Sequence, residues 1–232
     1  KELLRYAESA LTQVGRFRLQ ADVLKGALLG AVRLGTISSP SLLKLPELLT
    51  RFSSDFPGLT IQVKHGISDG VRSQLKDGSL DCGFVFGDVN DPDIQVLPLR
   101  DITLNIVGPA AWHGRIRGAS WLEFMAMPWV CPPTSCSFRE VLEKLFVENG
   151  ARPAIFIEAS EEAALKELVQ NGVGLTILRE CEARSATRDG RVAIWDTAYP
   201  HIGLSFCFPG ERKQDPLIHA LVSTLKQVWA IA

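Results

Sequence analysis

What is missing narrows the field first. The five cysteines, Cys82, Cys131, Cys136, Cys181 and Cys207, are odd in number and include no C-x-x-C pair. That argues against a disulfide framework and a zinc site, and suits a reducing cytoplasm. Cys131 and Cys136 are close enough in sequence to form a redox-sensing pair or to be two separately sequestered thiols. His113, His201 and His219 lack metal-ligand spacing, so neither metal nor cofactor is expected, while His65, beside GISD (66–69), is a candidate for pH sensing or ligand binding or for a surface or capping role. An excess of one charge is lacking too. Lys and Arg number 25 against 26 Asp and Glu, a formal net charge of -1, so nothing demands a basic face for nucleic acid.

No apolar run is long enough to span a bilayer. The opening KELLRYAESA is charged and amphipathic, unlike a secretory leader, and it lacks an initiating Met, which reads as a fragment or a processed chain. There is no G-x-S-x-G, no H-E-x-x-H and no Walker loop, and Gly172-x-Gly174 is too short for a dinucleotide fingerprint. No catalytic residue is therefore assigned, and an enzyme is not expected.

What is present begins with a heptad pattern. Leu3, Ala10, Phe17 and Leu24 recur every seven residues, and Ala7, Val14 and Ala21 form a second series offset by four. These are the a and d positions of a coiled coil, with Arg5, Glu8, Arg16, Asp22 and Lys25 off the seam. The alternative is an amphipathic helix packed on its own domain. Gly15 weakens the helix by roughly 1 kcal/mol relative to Ala, which favours pairing with a second chain.

After Gly26 the period changes. Strands are expected over 31–37, 59–63, 82–86, 128–132, 155–158, 174–178, 192–195 and 202–208, with two more within 94–107. Helices are expected to carry Leu42 to Phe56, Val71 to Leu75, Ser120 to Met125, Val141 to Phe146, Glu161 to Gln170, and Leu217 to Val228 behind an Asp215 cap. Leu59, Ile61 and Val63 alternate as if one strand face were buried, whereas CGFVF (82–86) reads as buried on both faces. Alternating strands and helices imply parallel sheets covered on both sides. The fold class is α/β: two Rossmann-like lobes, each with a βαβαβ order, joined by a two-stranded hinge and preceded by a long α-helix. Residues 1–27 are the linker or dimerisation helix. Residues 28–107 with 201–232 form lobe I, and 108–200 form lobe II, with breaks at Gly108-Pro109 and Tyr199-Pro200.

Four phrases carry a family resemblance: GAVRLGTISS (30–39), LPELLTRFSSDFPGLTIQV (45–63), LKDGSLDCGFVFG (75–87) and VQNGVGLTIL (169–178). In this order and spacing they resemble the C-terminal part of LysR-type transcriptional regulators. The resemblance covers nearly the whole chain, and the leading helix resembles that family's linker helix. It implies a fold like that of type II periplasmic binding proteins. It also implies a cytoplasmic homodimer or homotetramer whose lobes bind a small organic effector in a cleft. The family's winged helix-turn-helix would precede the linker helix, so DNA binding is implied only for a longer protein. A transporter's solute-binding protein shares the two-lobed design and is the alternative.

Parallel α/β sheets bind ligands at the carboxyl ends of strands, where helix N-termini present unpaired N–H groups. Four such ends are TISSPS (36–41), GISD (66–69), TSCS (134–137) and ASE (159–161). The effector contacts expected there are Thr36, Ser38, Ser39, Ser68, Thr134, Ser135 and Ser160, with Phe86 as an apolar wall or as core. Their neutral donors suit a carboxylate or another anion. Ser, Thr and Asp are equally ordinary helix N-caps, so a capping role stands beside the binding role at each position.

Overall fold

The computed structural model of the protein describes residues 30–195 and 200–231, and the heptad helix expected over residues 1–25 lies outside them. The chain divides into two compact units. Described residues up to Leu99, with those from Ser205 onward, make the first, and Arg100–Leu204 makes the second.

In the first unit, strand β1 (Gly30–Thr36) leads to helix α1 (Leu45–Asp55), strand β2 (Leu59–His65), helix α2 (Ser68–Lys76) and strand β3 (Cys82–Phe86). β1 lies parallel to β2 from Gly30↔Leu59 to Thr36↔His65, and parallel to β3 at Leu34↔Cys82 and Gly35↔Gly83. β1 is therefore central and carries buried Val32 and Leu34. β3 is buried at every residue, as its unbroken apolar run requires. α1 starts with Pro46 in its first turn, where a missing N–H costs nothing, and buries Leu45, Leu48 and Phe52.

Strand β4 (Ile94–Pro109) carries the chain into the second unit. There follow a 3-10 turn (Ala110–Trp112), short helices α3 (His113–Ile116) and α4 (Trp121–Met125), strand β5 (Trp129–Cys131) and helix α5 (Ser137–Glu148). Then come strand β6 (Phe156–Glu158), helix α6 (Glu162–Gln170), strand β7 (Thr176–Arg179), helix α7 (Glu180–Arg188) and strand β8 (Val192–Ile194). Strand β9 (His201–Pro209) returns the chain to the first unit, where a 3-10 turn (Gly210–Arg212) and helix α8 (Pro216–Trp229) end it. The expected Asp215 cap is present: its carboxylate accepts the Leu217 N–H at 2.9 Å. α8 buries Leu217, Leu221, Leu225 and Val228.

The core of the second unit is aromatic. Trp129 and Trp195 are almost fully buried. Trp129 meets Phe146 edge to face at 5.1 Å, Trp195 lies 4.3 Å from Phe124, and the Trp129 indole N–H donates to the Phe124 carbonyl at 3.1 Å. On the other side of β4 and β7, Val107, Val169, Leu178, Ala183, Ala186 and Val192 form a second cluster.

Several expectations need correction. Residues 94–107 do not form two strands but one, because exposed Pro98, Arg100 and Asp101 interrupt the apolar pattern without breaking the backbone. The sheets are not all parallel: β4 runs antiparallel to β7 (Leu104↔Arg179 to Val107↔Thr176) and to β8. β4 enters this unit directly rather than through a crossover helix, so the parallel rule does not fix its direction. β2 has no fully buried face. Among the described residues only β1 pairs with it, Leu59 and Ile61 are half-buried, and Val63 is 43% exposed. Helix α7 carries too weak an apolar signal to stand out, since its buried stripe is only Ala183 and Ala186.

Candidate functional site

Two glycines set the geometry of the first unit. Gly35 and Gly83 are paired on β1 and β3. A Cβ on Gly35 would fall 2.7 Å from Leu80, and one on Gly83 would fall 2.7 Å from Val71 and 3.2 Å from the Gly35 backbone. Neither position has room for a side chain. α2, which carries Val71, therefore lies flush on the sheet, and its first residue, Ser68, reaches the carboxyl end of β3. There the Ser68 Oγ accepts the Phe86 N–H at 3.0 Å. Beside it, the Thr36 hydroxyl donates to the Lys64 carbonyl at 3.3 Å and the Thr36 carbonyl accepts the Gly66 N–H at 2.8 Å. Since β1, β2 and β3 are parallel, Thr36, Ser68 and Phe86 share one edge of the unit. All three are buried.

The phrase LKDGSLD has its own logic. Gly78 turns the chain with φ +77, and the Asp77 carboxylate accepts the Ser79 N–H at 2.8 Å. The turn delivers Asp81 to β1. Its carboxylate accepts the Arg33 backbone N–H at 2.7 Å and the Arg33 guanidinium at 3.0 and 2.8 Å. Arg212 also bonds Asp81, and it pairs with Asp215 at 2.6 Å. Burial pushes the Asp81 carboxyl up, but Arg33 and Arg212 outweigh it and hold the carboxyl below its ordinary value. The network joins β1, β3 and the N-cap of α8, so it serves the scaffold.

The second unit presents its own carboxyl edge, because β5 and β6 are parallel (Trp129↔Phe156 to Cys131↔Glu158) and Leu175, just ahead of β7, bridges Trp129 in parallel. Gly172 turns into this strand with φ +88. A Cβ on Gly174 would fall 2.5 Å from the Pro128 carbonyl oxygen, so the strand can approach only as glycine. Loops 132–136 and 159–161 leave this edge.

Two buried arginines hold the edge. Arg139 donates to the Pro132 carbonyl at 3.0 Å and to Glu143 at 2.7 Å, and it lies 4.2 Å over the Phe156 ring. Arg179, at the end of β7, binds Glu162 at 2.8 Å and Glu182 at 2.5 Å. Neither arginine was picked out from sequence. A cation closing an apolar strand, as in LTILR, was the available signal.

The predicted residues fall into two groups. Thr36, Ser38, Ser68 and Phe86 are buried, whereas Ser39, Thr134, Ser135 and Ser160 are exposed. None of the exposed four makes a side-chain hydrogen bond among the described residues. α1, α2, α5 and α6, the helices that follow the four loops, have Lys44, Ile67, Cys136 and Glu161 at their N-caps, with no side-chain cap bond. The exposed hydroxyls are thus not caps. The first unit assembles Thr36, Ser68 and Phe86. In the second unit, parallel β5 and β6 bring the Thr134–Ser135 and Ser160 loops to one edge.

A surface cavity of about 530 Å³ in the second unit is lined by Pro109 to Trp112, Gln170 to Gly172, Gly190 and Arg191, at the opposite strand ends, and includes none of the predicted residues. Cys131 is buried and Cys136 half-buried, and burial raises the Cys131 thiol to about 12, so Cys131 itself is a poor attacking thiolate. Among the described residues no group of His, Cys, Asp and Glu could hold a metal, and no helix is long and apolar enough to cross a membrane.

Two units of alternating strands and helices, linked by β4 and β9, define a two-lobed α/β fold of the type II periplasmic-binding-protein class. Residues 25–230 match the LysR substrate binding domain family, and the chain belongs to that family. It is 27% identical over 150 residues to YeiE, an uncharacterized HTH-type transcriptional regulator of Escherichia coli (strain K12), which covers 64% of this chain and 51% of that protein. The chain thus spans about half the length of this relative. Its fold is similar to that of the effector binding domain of QuiR in complex with shikimate, with a TM-score of 0.74 and 19% identity over 87% of this chain and 98% of that one. It is likewise similar to the Synechocystis PCC6803 CcmR regulatory domain in complex with 2-PG, with a TM-score of 0.72 and 17% identity over 86% and 97%.

Proposed function

We propose that this chain is the ligand-sensing part of a LysR-type transcriptional regulator, with a small organic anion as its effector. The observation that carries the reading is the set of exposed hydroxyls at Ser39, Thr134, Ser135 and Ser160. They sit at carboxyl ends of parallel strands, ahead of helices without side-chain caps. Uncapped helix N–H groups and neutral hydroxyls favour negative charge. Buried Thr36, Ser38, Ser68 and Phe86 shape the corresponding edge of the first unit. Shikimate and 2-PG, bound by the similar domains, are ligands of that kind.

In this reading a longer protein binds DNA through a helix-turn-helix, which the HTH-type names of the relatives support, and works as a cytoplasmic homo-oligomer. The domain binds its ligand without turning it over. Those relatives favour a regulator over a transporter's solute-binding protein. A thermal-shift screen with shikimate, benzoate and 2-PG tests the reading. At least one anion should raise the melting temperature, and a Ser135→Ala/Ser160→Ala double variant should lose that shift. A shift unchanged in the double variant, or no shift with any anion, would overturn it.

A further inference from the structure

Three charged side chains at the end of β7 do more than hold the scaffold. The Arg179 guanidinium is 3% exposed, and its Nη2 donates to Glu162 Oε1 at 2.8 Å and to Glu182 Oε1 at 2.5 Å. Two carboxyl groups therefore converge on one nitrogen of one cation. If both were ionised the cluster would carry a net negative charge at a shielded place. Such pairs relieve the repulsion by keeping one proton between them. The second oxygen of Glu182 is buried and has no hydrogen-bond partner, so it can accept a carboxyl proton.

We propose that Glu162, Glu182 and Arg179 form a proton-binding site in which the two carboxyl groups share one proton. Its charged neighbours among the described residues are few. α6, which carries Glu162, packs on β5 and β7. β5 offers only the Cys131 thiol, which burial pushes up to about 12. β7 offers Arg179 alone. On α7, Glu182 faces the pair while Glu180 is taken up by Arg184 at 2.7 Å. Arg139 is likewise engaged with Glu143 at 2.7 Å. Burial of the carboxyl is the largest influence on Glu162, and the neighbouring Glu182 carboxyl adds to it. Arg179 opposes both, and the balance lifts Glu162 to about 7. The Glu162 side chain is still 40% exposed, which gives the released proton a route to water.

The sign of the linkage follows. The folded state holds this proton to higher pH than an unfolded glutamate, so its stabilising contribution is complete below about pH 4. It is lost as pH rises through about 7. Glu162→Gln fixes the neutral form and removes that dependence.

Carboxyl-carbon NMR of the whole chain, labelled in glutamate, reads the site directly. The wild type should show one glutamate titrating near pH 7, and that resonance should vanish in E162Q. In E182Q the Glu162 signal should titrate well below 7, because the like charge of the Glu182 carboxylate is gone. If every glutamate titrates below about 5, as ordinary ones do, the site does not exist. A high-titrating signal that survives unshifted in both variants overturns the assignment. Should E162Q fail to fold, the wild-type titration and E182Q still decide the matter.

Discussion

The Ser68 hydroxyl oxygen accepts the Phe86 backbone N–H at 3.0 Å, and both residues are buried. This one bond ties the first turn of α2 to the carboxyl end of β3. Ser68→Ala deprives a buried N–H of that acceptor, which costs about 1–3 kcal/mol. Urea unfolding followed by circular dichroism should show the loss. An unchanged midpoint would mean that α2 is held by packing alone.

Glycine substitutions separate close approach from open space. Gly83→Ala places a Cβ 2.7 Å from Val71 and 3.2 Å from the Gly35 backbone, whereas Gly66 has nothing within 4 Å. Gly83→Ala should cost at least about 2 kcal/mol as α2 is forced off the sheet. Gly66→Ala should stay within about 0.5 kcal/mol of the parent. Equal midpoints for the two variants would refute the flush seat of α2.

Acid should unfold the first unit through Asp81. Arg33 and Arg212 hold its folded carboxyl below the ordinary value. Its contribution is therefore present above the unfolded value of about 4 and is lost as pH falls through the folded one. Asp81→Asn leaves two arginines facing a neutral amide and should cost about 3–5 kcal/mol at pH 7. The variant should also show a flatter stability curve below pH 4. A parallel pair of curves would rule out the linkage.

The exposed hydroxyls should matter for ligand and not for fold. Thr134→Ala, Ser135→Ala and Ser160→Ala remove no side-chain hydrogen bond among the described residues. Each should stay within about 0.5 kcal/mol of the parent in stability. Trp112, Trp121, Trp129 and Trp195 lie in the second unit and Trp229 in the first, so tryptophan fluorescence is weighted towards unfolding of the second unit. Losses above about 1 kcal/mol would reassign these residues to the scaffold.

Much of this arrangement was legible in the sequence, for identifiable reasons. CGFVF announced a central strand because burial on both faces leaves no polar position. Asp215 announced α8 because a cap is a local interaction. What failed depended on neighbours. Nothing in Leu59, Ile61 and Val63 says that, among the described residues, only β1 pairs with them, and nothing in 94–107 says that its polar residues lie on an exposed stretch of one strand. Gly35, Gly83 and Gly174 stood inside the quoted phrases, but their reason lies in atoms distant in sequence. The hydroxyl loops were found because strand ends and helix starts adjoin in sequence. Arg139 and Arg179 were missed because their carboxylate partners come from helices whose facing sides the periodicity does not identify.

The uneven burial of the thiols has a practical consequence. Cys82, Cys131 and Cys207 are buried and Cys136 is half-buried, while Cys181 is exposed on α7. A maleimide dye added to the native protein should react first at that position, next to Glu182 in the chain. An environment-sensitive fluorophore placed there would report optically on α7 without any engineered cysteine.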